Sequence, residues 1–286
     1  MSLILAIPFV SAFFYGVGSI FQKVMLRKRN MDIKLYQTSE FFAIVLVLIP
    51  LLFFFGGFNS QALSLLGMSL MLSIVILSTI ANYAVFIAIK KEPLTSLEPA
   101  MMVEPLLIVI VAIILSFFFP NDFERNLHVV IPALIASAAL IFSHVRRRHI
   151  IINKYLILVL IASFLFAAEV TLSRLILDLY SPVSFYFVRC LLIGLASLII
   201  FKPKLGKLNK KLNLELIGLA AIFVVYRILM YYGFLHLGVI FTTLVIMVGP
   251  IFVYALAWKF LHEKLDWKNI TSAIVILACV GYVLLF

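Results

Sequence analysis

The sequence predicts an all-α membrane protein in which ten transmembrane helices form two inverted repeats of five. The first observation is the composition: 65% of the 286 residues are hydrophobic and only 12% are charged, whereas soluble domains carry roughly a quarter charged residues. The second is that the apolar residues form ten long segments, and the third is that the first five segments can be laid over the last five. Such a chain uses lipid as its solvent, because a water-soluble core cannot hide so much apolar surface.

Most of the ten segments are close to the roughly 20 residues that a helix needs to cross the hydrocarbon core. Backbone groups in lipid must be satisfied within the helix, and no segment alternates like a strand of an outer-membrane barrel, so each is predicted to be helical. The first run is too long for a cleavable signal, and basic residues follow it instead of preceding it, so it is predicted to remain as a span. The segments cover residues 3–26, 35–55, 66–89, 98–119, 128–145, 154–177, 182–201, 213–235, 240–261 and 268–286.

The net charge of +11 reports the orientation of the chain. Of the 23 Lys and Arg residues, 18 lie in or beside the odd-numbered connections, and Arg125 alone lies in an even-numbered one. The positive-inside rule therefore predicts that the odd connections are cytoplasmic and that both termini lie outside, in the cell membrane. The expected partner of these basic clusters is the lipid bilayer, including anionic headgroups; a nucleic-acid partner is not expected.

The division between the halves falls at the basic run 146–149, which gives two predicted units, residues 1–145 and 146–286. At an offset of 151, Lys23 at the end of the first segment corresponds to Arg174 in the sixth. At an offset of 145 the matches are Asn82 with Arg227, Phe86 with Tyr231 and Pro105 with Pro250. Five spans per half is an odd number, so the second half enters from the opposite side. Inverted repeats of this kind are typical of transporters whose sites lie between the halves.

Seven charged residues lie inside the segments, where each costs at least ~2.5–3.5 kcal/mol on insertion scales. Three of them are near the segment ends and have simple structural explanations. Lys23 can reach the interface or pair with Glu40, and Arg174 can reach Asp178 one helical turn away. These three are predicted to be edge residues.

The four deeper charges are the main candidates for a site. Arg227 has no acid near it in sequence, and a planar guanidinium suits an anionic substrate group. Glu104, directly before Pro105, is expected to bind a cation or a coupling proton. Glu169 has two readings, a site or proton-coupling role, or a buried ion pair with Arg189. Arg189 is accordingly either that partner or a second substrate-binding cation.

Other residues complete the predicted site. Proline removes a backbone donor and clashes with the preceding turn, so helix kinks are expected at Pro105 and at Gly249-Pro250. The polar or aromatic residues expected to line a substrate cavity near these positions are Tyr15, Asn82, Tyr83, Phe86 and Tyr231. The histidines show no paired metal-ligand spacing, so neither a metal nor another cofactor is expected.

Three motifs in the second half point to a family. They are Ser181-Pro182 followed by Arg189, the Gly249-Pro250 pair, and Leu261-His262-Glu263-Lys264-Leu265 ahead of a last span that contains Gly281. With the two five-span halves, they make the chain resemble the ten-helix EamA-type members of the drug/metabolite transporter superfamily. The resemblance implies alternating-access export or exchange of small metabolites through a central cavity. It also implies that the fifth and tenth spans are scaffolding and that Glu263 makes a helix-end contact.

The favoured hypothesis is a secondary active transporter for a small metabolite, with amino acids preferred because charges of both signs lie in one core. The alternative is an antiporter of organic anions or phosphorylated metabolites, suggested by four cations against three acids. A membrane-embedded enzyme is disfavoured because the chain has no HExxH, GxSxG or paired Asp-rich motif, and a non-transporting scaffold is equally disfavoured. No P-loop is present, so a gradient, with a possible coupling proton, is the expected driving force. The oligomeric state is left open.

Overall fold

The computed structural model describes residues 3–28, 31–92, 97, 100–120, 123, 126–144, 154–204, 210–253, 255 and 267–285. Within these residues the chain forms ten α-helices and no regular strand, so the predicted all-α fold is confirmed. A π-helical turn, Val24–Lys28, continues the first helix, and a short 3₁₀ turn, Ser60–Leu63, precedes the third. The helices are α1 Leu3–Lys23, α2 Ile33–Phe55, α3 Leu65–Lys91, α4 Val103–Ser116, α5 Leu127–His144, α6 Lys154–Leu177, α7 Pro182–Phe201, α8 Lys210–Leu237, α9 Val239–Ile246 and α10 Trp267–Leu285.

Six of these helices are long and apolar enough to cross a membrane: α1, α2, α3, α6, α7 and α8. The other four correspond to shorter apolar helices, Val103–Ser116, Leu127–Phe142, Val239–Val253 and Ile270–Leu285. Large apolar side chains cover the outside of the molecule; Phe53 is 84% exposed and Ile199 is 69% exposed. An apolar surface this extensive is stable only against lipid, as the composition predicts.

Local sequence signals account for the helix starts at several connections. Asp32 caps α2 by accepting a hydrogen bond from the backbone N–H of Lys34. Ser64 caps α3 in the same way, through Gly67. Ser181 caps α7 and is followed by Pro182, whose missing N–H costs nothing at the first helical position. These caps fix where each helix leaves its connection.

The helices pair across the two halves of the chain. The most extensive contacts are those of α3 with α6, α1 with α8, α2 with α7 and α5 with α10. Exchanging each helix for the one five places along leaves this set of pairs unchanged. The packing is therefore what two matching five-helix halves would produce, while their inverted orientation stays a prediction.

The helices that carry the two matching prolines are both interrupted one turn earlier. A turn at Met102 precedes α4, and a turn at Met247 and Val248 ends α9 before a helical stretch runs on from Gly249 to Val253. Pro105 and Pro250 thus lie in the first turn after each break, where the absent N–H has no helical partner to lose. The sequence predicted one continuous segment at each place, 98–119 and 240–261, and the breaks explain the shorter helices.

Candidate functional site

A cavity of about 180 Å³ lies between the two halves of the helical bundle. A second, smaller cavity of about 60 Å³ adjoins it, and the two share Tyr15, Glu104 and Arg227. The polar and charged residues that line the larger cavity are Tyr15, Ser19, Gln22, Lys23, Glu40, Asn82, Glu104, Tyr186, Arg189, Tyr226 and Arg227. Phe41, Ile44, Val85, Phe86, Ile89, Met101, Met102, Phe166, Phe223, Pro250 and Val253 complete its wall. A concave space with a few converging polar groups is typical of small-molecule sites.

Arg227 and Glu104 come from different halves of the chain and border both cavities. Both side chains are partly exposed within the bundle. Arg227 Nη1 makes a long contact of 3.8 Å with the Met230 sulfur, and its guanidinium lies 5.3 Å from the centre of the Tyr226 ring. No ion pair joins either Arg227 or Glu104 to another side chain in the described part of the chain. The two charges are therefore available to a ligand.

The local position of Glu104 suits an ionised carboxylate. It is the second residue of α4, directly after the break at Met102, and so lies in the first turn of that helix. The first N–H groups of a helix carry a partial positive charge that stabilises a nearby anion. The break before Pro105 thus places the N-terminal end of a helix beside the cavity.

Arg189 lies on the cavity wall, but its charge is neutralised from behind. Its Nε atom is 2.9 Å from Oε1 of Glu169, and the two side chains are 2% and 0% exposed. Ser78 accepts a hydrogen bond of 2.7 Å from Arg189 Nη2, and Ser173 donates one of 3.2 Å to the same Glu169 oxygen. Of the two readings that the sequence left open for Glu169, the geometry shows the buried pair. Glu169 is not part of the described cavity wall.

Two aromatic rings line the cavities beside Arg227. The Tyr15 and Tyr226 rings have centroids 5.3 Å apart, and both residues line both cavities. A hydrogen bond of 2.9 Å from the Ser11 hydroxyl to the Tyr226 carbonyl joins α1 to α8 at this point. These contacts hold an apolar surface next to the unpaired cation.

Asn82 and Phe86 line the cavity as predicted for residues one turn apart on α3, but Tyr83 does not. Tyr83 follows Asn82 directly, and successive helical side chains point about 100° apart, so its ring turns away and stacks on Phe201 at 4.4 Å. Phe86 packs edge-on against Tyr36, with ring centroids 5.0 Å apart. The placement of Tyr83 in the cavity is thus corrected by the helix geometry.

Tyr231, also predicted to line the cavity, lies behind its wall. It is fully buried, its ring lies 5.0 Å from that of Phe185 and 6.0 Å from that of Tyr186, and Tyr186 occupies the wall. The bulky α7 residues fill the space that the sequence assigned to Tyr231, which therefore supports Tyr186. Gly249 likewise lies outside the described wall, while Pro250 lines the larger cavity and Pro105 the smaller one.

Six polar residues of the described wall were not among the predicted site residues: Ser19, Gln22, Lys23, Glu40, Tyr186 and Tyr226. Glu40 is 4% exposed, and its described partners are Tyr36 and Gln22; the pair with Lys23 that the sequence allows is not among its contacts. Spacing on α1 could have shown the first two residues, because Tyr15, Ser19, Gln22 and Lys23 fall on one helical face. The expected edge pair of Arg174 with Asp178 is present. Glu263 and its motif lie outside the described residues.

The described residues contain no cluster of His, Cys, Asp or Glu that could hold a metal ion. The site offers a guanidinium and a carboxylate to a polar ligand, beside aromatic and aliphatic surface for an apolar part.

Comparison with known proteins agrees with this architecture. Residues 153–286 match the EamA-like transporter family, which confirms, over the second half of the chain, the resemblance predicted from the sequence. A solved structure described as "Crystal structure of protein" is similar with a TM-score of 0.72 at 14% identity, covering 99% of this chain and 96% of that one. That likeness supports the fold alone. A search of curated proteins gave no significant match. The family match and the apolar helices indicate an integral, multi-pass membrane transporter of small molecules.

Proposed function

We propose that this protein, whose second half matches the EamA-like transporter family, is a secondary active transporter that exports or exchanges a small zwitterionic metabolite, with amino acids favoured. The observation that carries the proposal is the presence of Arg227 and Glu104 around the same two cavities without an ion-pair partner in the described chain. Alternating access between the two halves would expose these residues to each side of the membrane in turn.

The energetics of burial explain why a zwitterion fits. An unpaired charge in a low-dielectric interior is costly, so a cavity with one cation and one anion is best satisfied by a ligand that supplies both complementary charges. A ligand carboxylate can accept two parallel hydrogen bonds from the Arg227 guanidinium, while its ammonium group donates to Glu104. The neighbouring rings of Tyr15 and Tyr226 can cover an apolar side chain of the same ligand.

The paired charges have a different role in this proposal. Because Glu169 neutralises Arg189 at 2.9 Å, Arg189 contributes hydrogen-bond donors and shape to the wall instead of a free charge. Glu169 then positions Arg189, and any role in proton coupling would run through this pair. Glu104 is the better candidate for a coupling proton, because it contacts the cavity directly.

The anion-antiporter alternative rests on a charge count. The described wall of the cavity carries three cationic side chains, Lys23, Arg189 and Arg227, and two acidic ones, Glu40 and Glu104. Glu169, directly behind Arg189, brings the acids to three and cancels the excess. A balanced set favours a zwitterion over a phosphorylated anion. Competition by inorganic phosphate against the bound ligand would favour the antiporter instead.

The test is counterflow in proteoliposomes after a thermal-shift screen of amino acids and sugar phosphates, since a ligand of the folded state raises the apparent melting temperature. Arg227→Gln should remove both the thermal shift and the counterflow of an amino acid. Glu104→Gln should weaken binding and also reduce any dependence of uptake on the proton gradient.

Exposed residues on the same or a nearby helix provide matched controls. Lys210→Gln removes a cation from α8, and Asp32→Asn removes an acid from α2 while keeping a residue that caps helices well. Both controls should transport like the wild type. The proposal is wrong if Arg227→Gln and Glu104→Gln leave counterflow of every recognised substrate unchanged.

A further inference from the structure

We infer that Glu40 forms a second, cation-binding subsite at the far end of the same cavity, and that the preferred substrate carries an ammonium group about 10 Å from its anionic group. The inference rests on the proposed function, because Arg227 is taken to hold the anionic end. It extends that function from amino acids in general to elongated molecules with a distal ammonium group.

The carboxylate of Glu40 is held in place but only half satisfied. Its Oε1 atom accepts a hydrogen bond of 3.0 Å from the Tyr36 hydroxyl and a long one of 3.5 Å from Gln22 Nε2. Its Oε2 atom is buried and has no hydrogen-bond partner in the described part of the chain. A buried carboxylate oxygen without a donor is unfavourable, so a donor that enters the cavity and reaches it is stabilised. An ammonium group supplies three N–H donors.

The spacing of the two ends can be read along α1. Tyr15 borders the cavities next to Arg227 and Glu104, whereas Gln22, seven residues further on, contacts Glu40. At 1.5 Å per residue this places the Glu40 end about 10 Å along the helix axis from the Arg227 end. The α-ammonium and α-carboxylate groups of one amino acid are too close together to reach both. A ligand that contacts both ends therefore has a spacer between its charges.

Charged residues of both signs lie around this end of the cavity, so they determine which ligand charge is preferred there. Lys23 lines the cavity beside Gln22, and Arg189 and Arg227 lie on the wall, as does Glu104. If Lys23 dominated the far end, the preferred ligand would carry two anionic groups. If Glu40 dominates, as we infer from its unpartnered oxygen, the ligand carries one charge of each sign.

A length series of ω-aminocarboxylates tests the inference by calorimetric titration of the purified protein: glycine, γ-aminobutyrate, ε-aminocaproate and ω-aminocaprylate. We expect affinity to rise along the series by about tenfold, the gain of one charge-assisted hydrogen bond. Glu40→Gln should abolish the rise, so that the four ligands bind with similar affinity. Glu40→Asp, which keeps the charge but withdraws it by one methylene, should weaken the binding of ω-aminocaprylate less than Glu40→Gln does. Asp32→Asn is the matched control on the same helix.

Other results would contradict the inference or the proposed function. If no aminocarboxylate of any length binds, the proposed function fails together with the inference. If all lengths bind equally, or Glu40→Gln leaves the length dependence intact, the inference alone is wrong. It is also wrong if suberate, with a carboxylate at each end, binds as tightly as ω-aminocaprylate. Loss of the pH dependence of uptake in Glu40→Gln, with an unchanged length series, would instead make Glu40 a proton carrier.

Discussion

The buried pair of Glu169 and Arg189 illustrates how individual charges are tolerated inside this bundle. Replacing Glu169 with Gln leaves the guanidinium of Arg189 without its counterion at 2% exposure. Breaking a buried pair from one side costs about 3–5 kcal/mol, because the remaining charge is not solvated. We expect Glu169→Gln to lower the melting temperature of the protein in detergent markedly. Thermal unfolding can be followed by light scattering or by thiol labelling of unfolded chains.

The double variant separates charge from packing. Glu169→Gln with Arg189→Gln removes both charges, so it should be more stable than either single variant, and the coupling can be read from a double-mutant cycle. Asp178→Asn is the comparison, because Asp178 is 55% exposed and water screens its pair with Arg174 more than it screens the fully buried pair. Additive losses in the double variant would contradict the pair.

At the residue scale, the sequence indicated which charged residues lie inside the helices but not which face of a helix meets the cavity. Arg227 was identified because it lies mid-segment with no acid near it in sequence, and Glu104 because it directly precedes Pro105. Glu40 lies in the second turn of α2, so its position along the helix suggested an edge residue, although it is buried against Tyr36. In a helix that is apolar all round, the sequence does not show which side meets a cavity. The 100° step from Asn82 would have been enough to place the Tyr83 ring away from the cavity.

At the scale of helices, the crossing of α1 with the segment after α9 controls the shape of the site. A methyl group added at Gly249 would lie 2.8 Å from Tyr15 Cδ1 and 3.2 Å from the Ala12 carbonyl oxygen. Gly249→Ala should therefore push the Tyr15 ring out of its place beside Arg227. We expect weaker ligand binding in titrations, together with a lower melting temperature, since the Ala12 backbone cannot move aside as easily as a ring.

Gly218 on α8 provides the matched control, because a methyl group there would meet no atom within 4 Å. Gly218→Ala should keep wild-type affinity and be neutral or slightly stabilising, since alanine is the better helix former. Equal effects of the two substitutions would show that the contact at Gly249 does not shape the cavity.

All ten described helices could be predicted, because a long apolar segment placed in lipid must satisfy its backbone hydrogen bonds by forming a helix. The bounds of α6 and α7 also match the predicted 154–177 and 182–201, because a clear polar or capped connection precedes each one. The predicted fourth and ninth segments ran through Met102 and through Met247 and Val248, where the backbone turns. Those residues are apolar, so hydropathy alone gave no break, and the following prolines were the only local signal.

At the scale of the molecule, contacts between connections group them in the alternating way that the charge pattern predicts. The α2–α3 connection meets the α6–α7 connection through hydrogen bonds of 2.8 Å from Asn59 N to the Leu179 carbonyl and from Ser181 N to the Gly57 carbonyl. Near the α1–α2 connection, the Met31 carbonyl accepts a bond of 2.7 Å from Lys90, at the end of α3. Two even-numbered connections thus contact one another, and the end of α3 that leads into the third connection contacts the first. The contacts support a common side for each set.

The orientation can be decided by labelling single cysteines with a membrane-impermeant maleimide in intact cells. In a background with Cys190→Ala and Cys279→Ala, Ser60→Cys lies in the even α2–α3 connection and Lys204→Cys in the odd α7–α8 connection, and both positions are exposed. Because 18 of 23 basic residues lie in or beside odd connections, the positive-inside rule predicts labelling of Ser60→Cys from outside and of Lys204→Cys only after permeabilisation. The reverse pattern would invert the predicted orientation while leaving the fold intact. Labelling of both from outside would contradict the alternation of spans itself, and with it the odd number of spans per half that makes the repeats inverted.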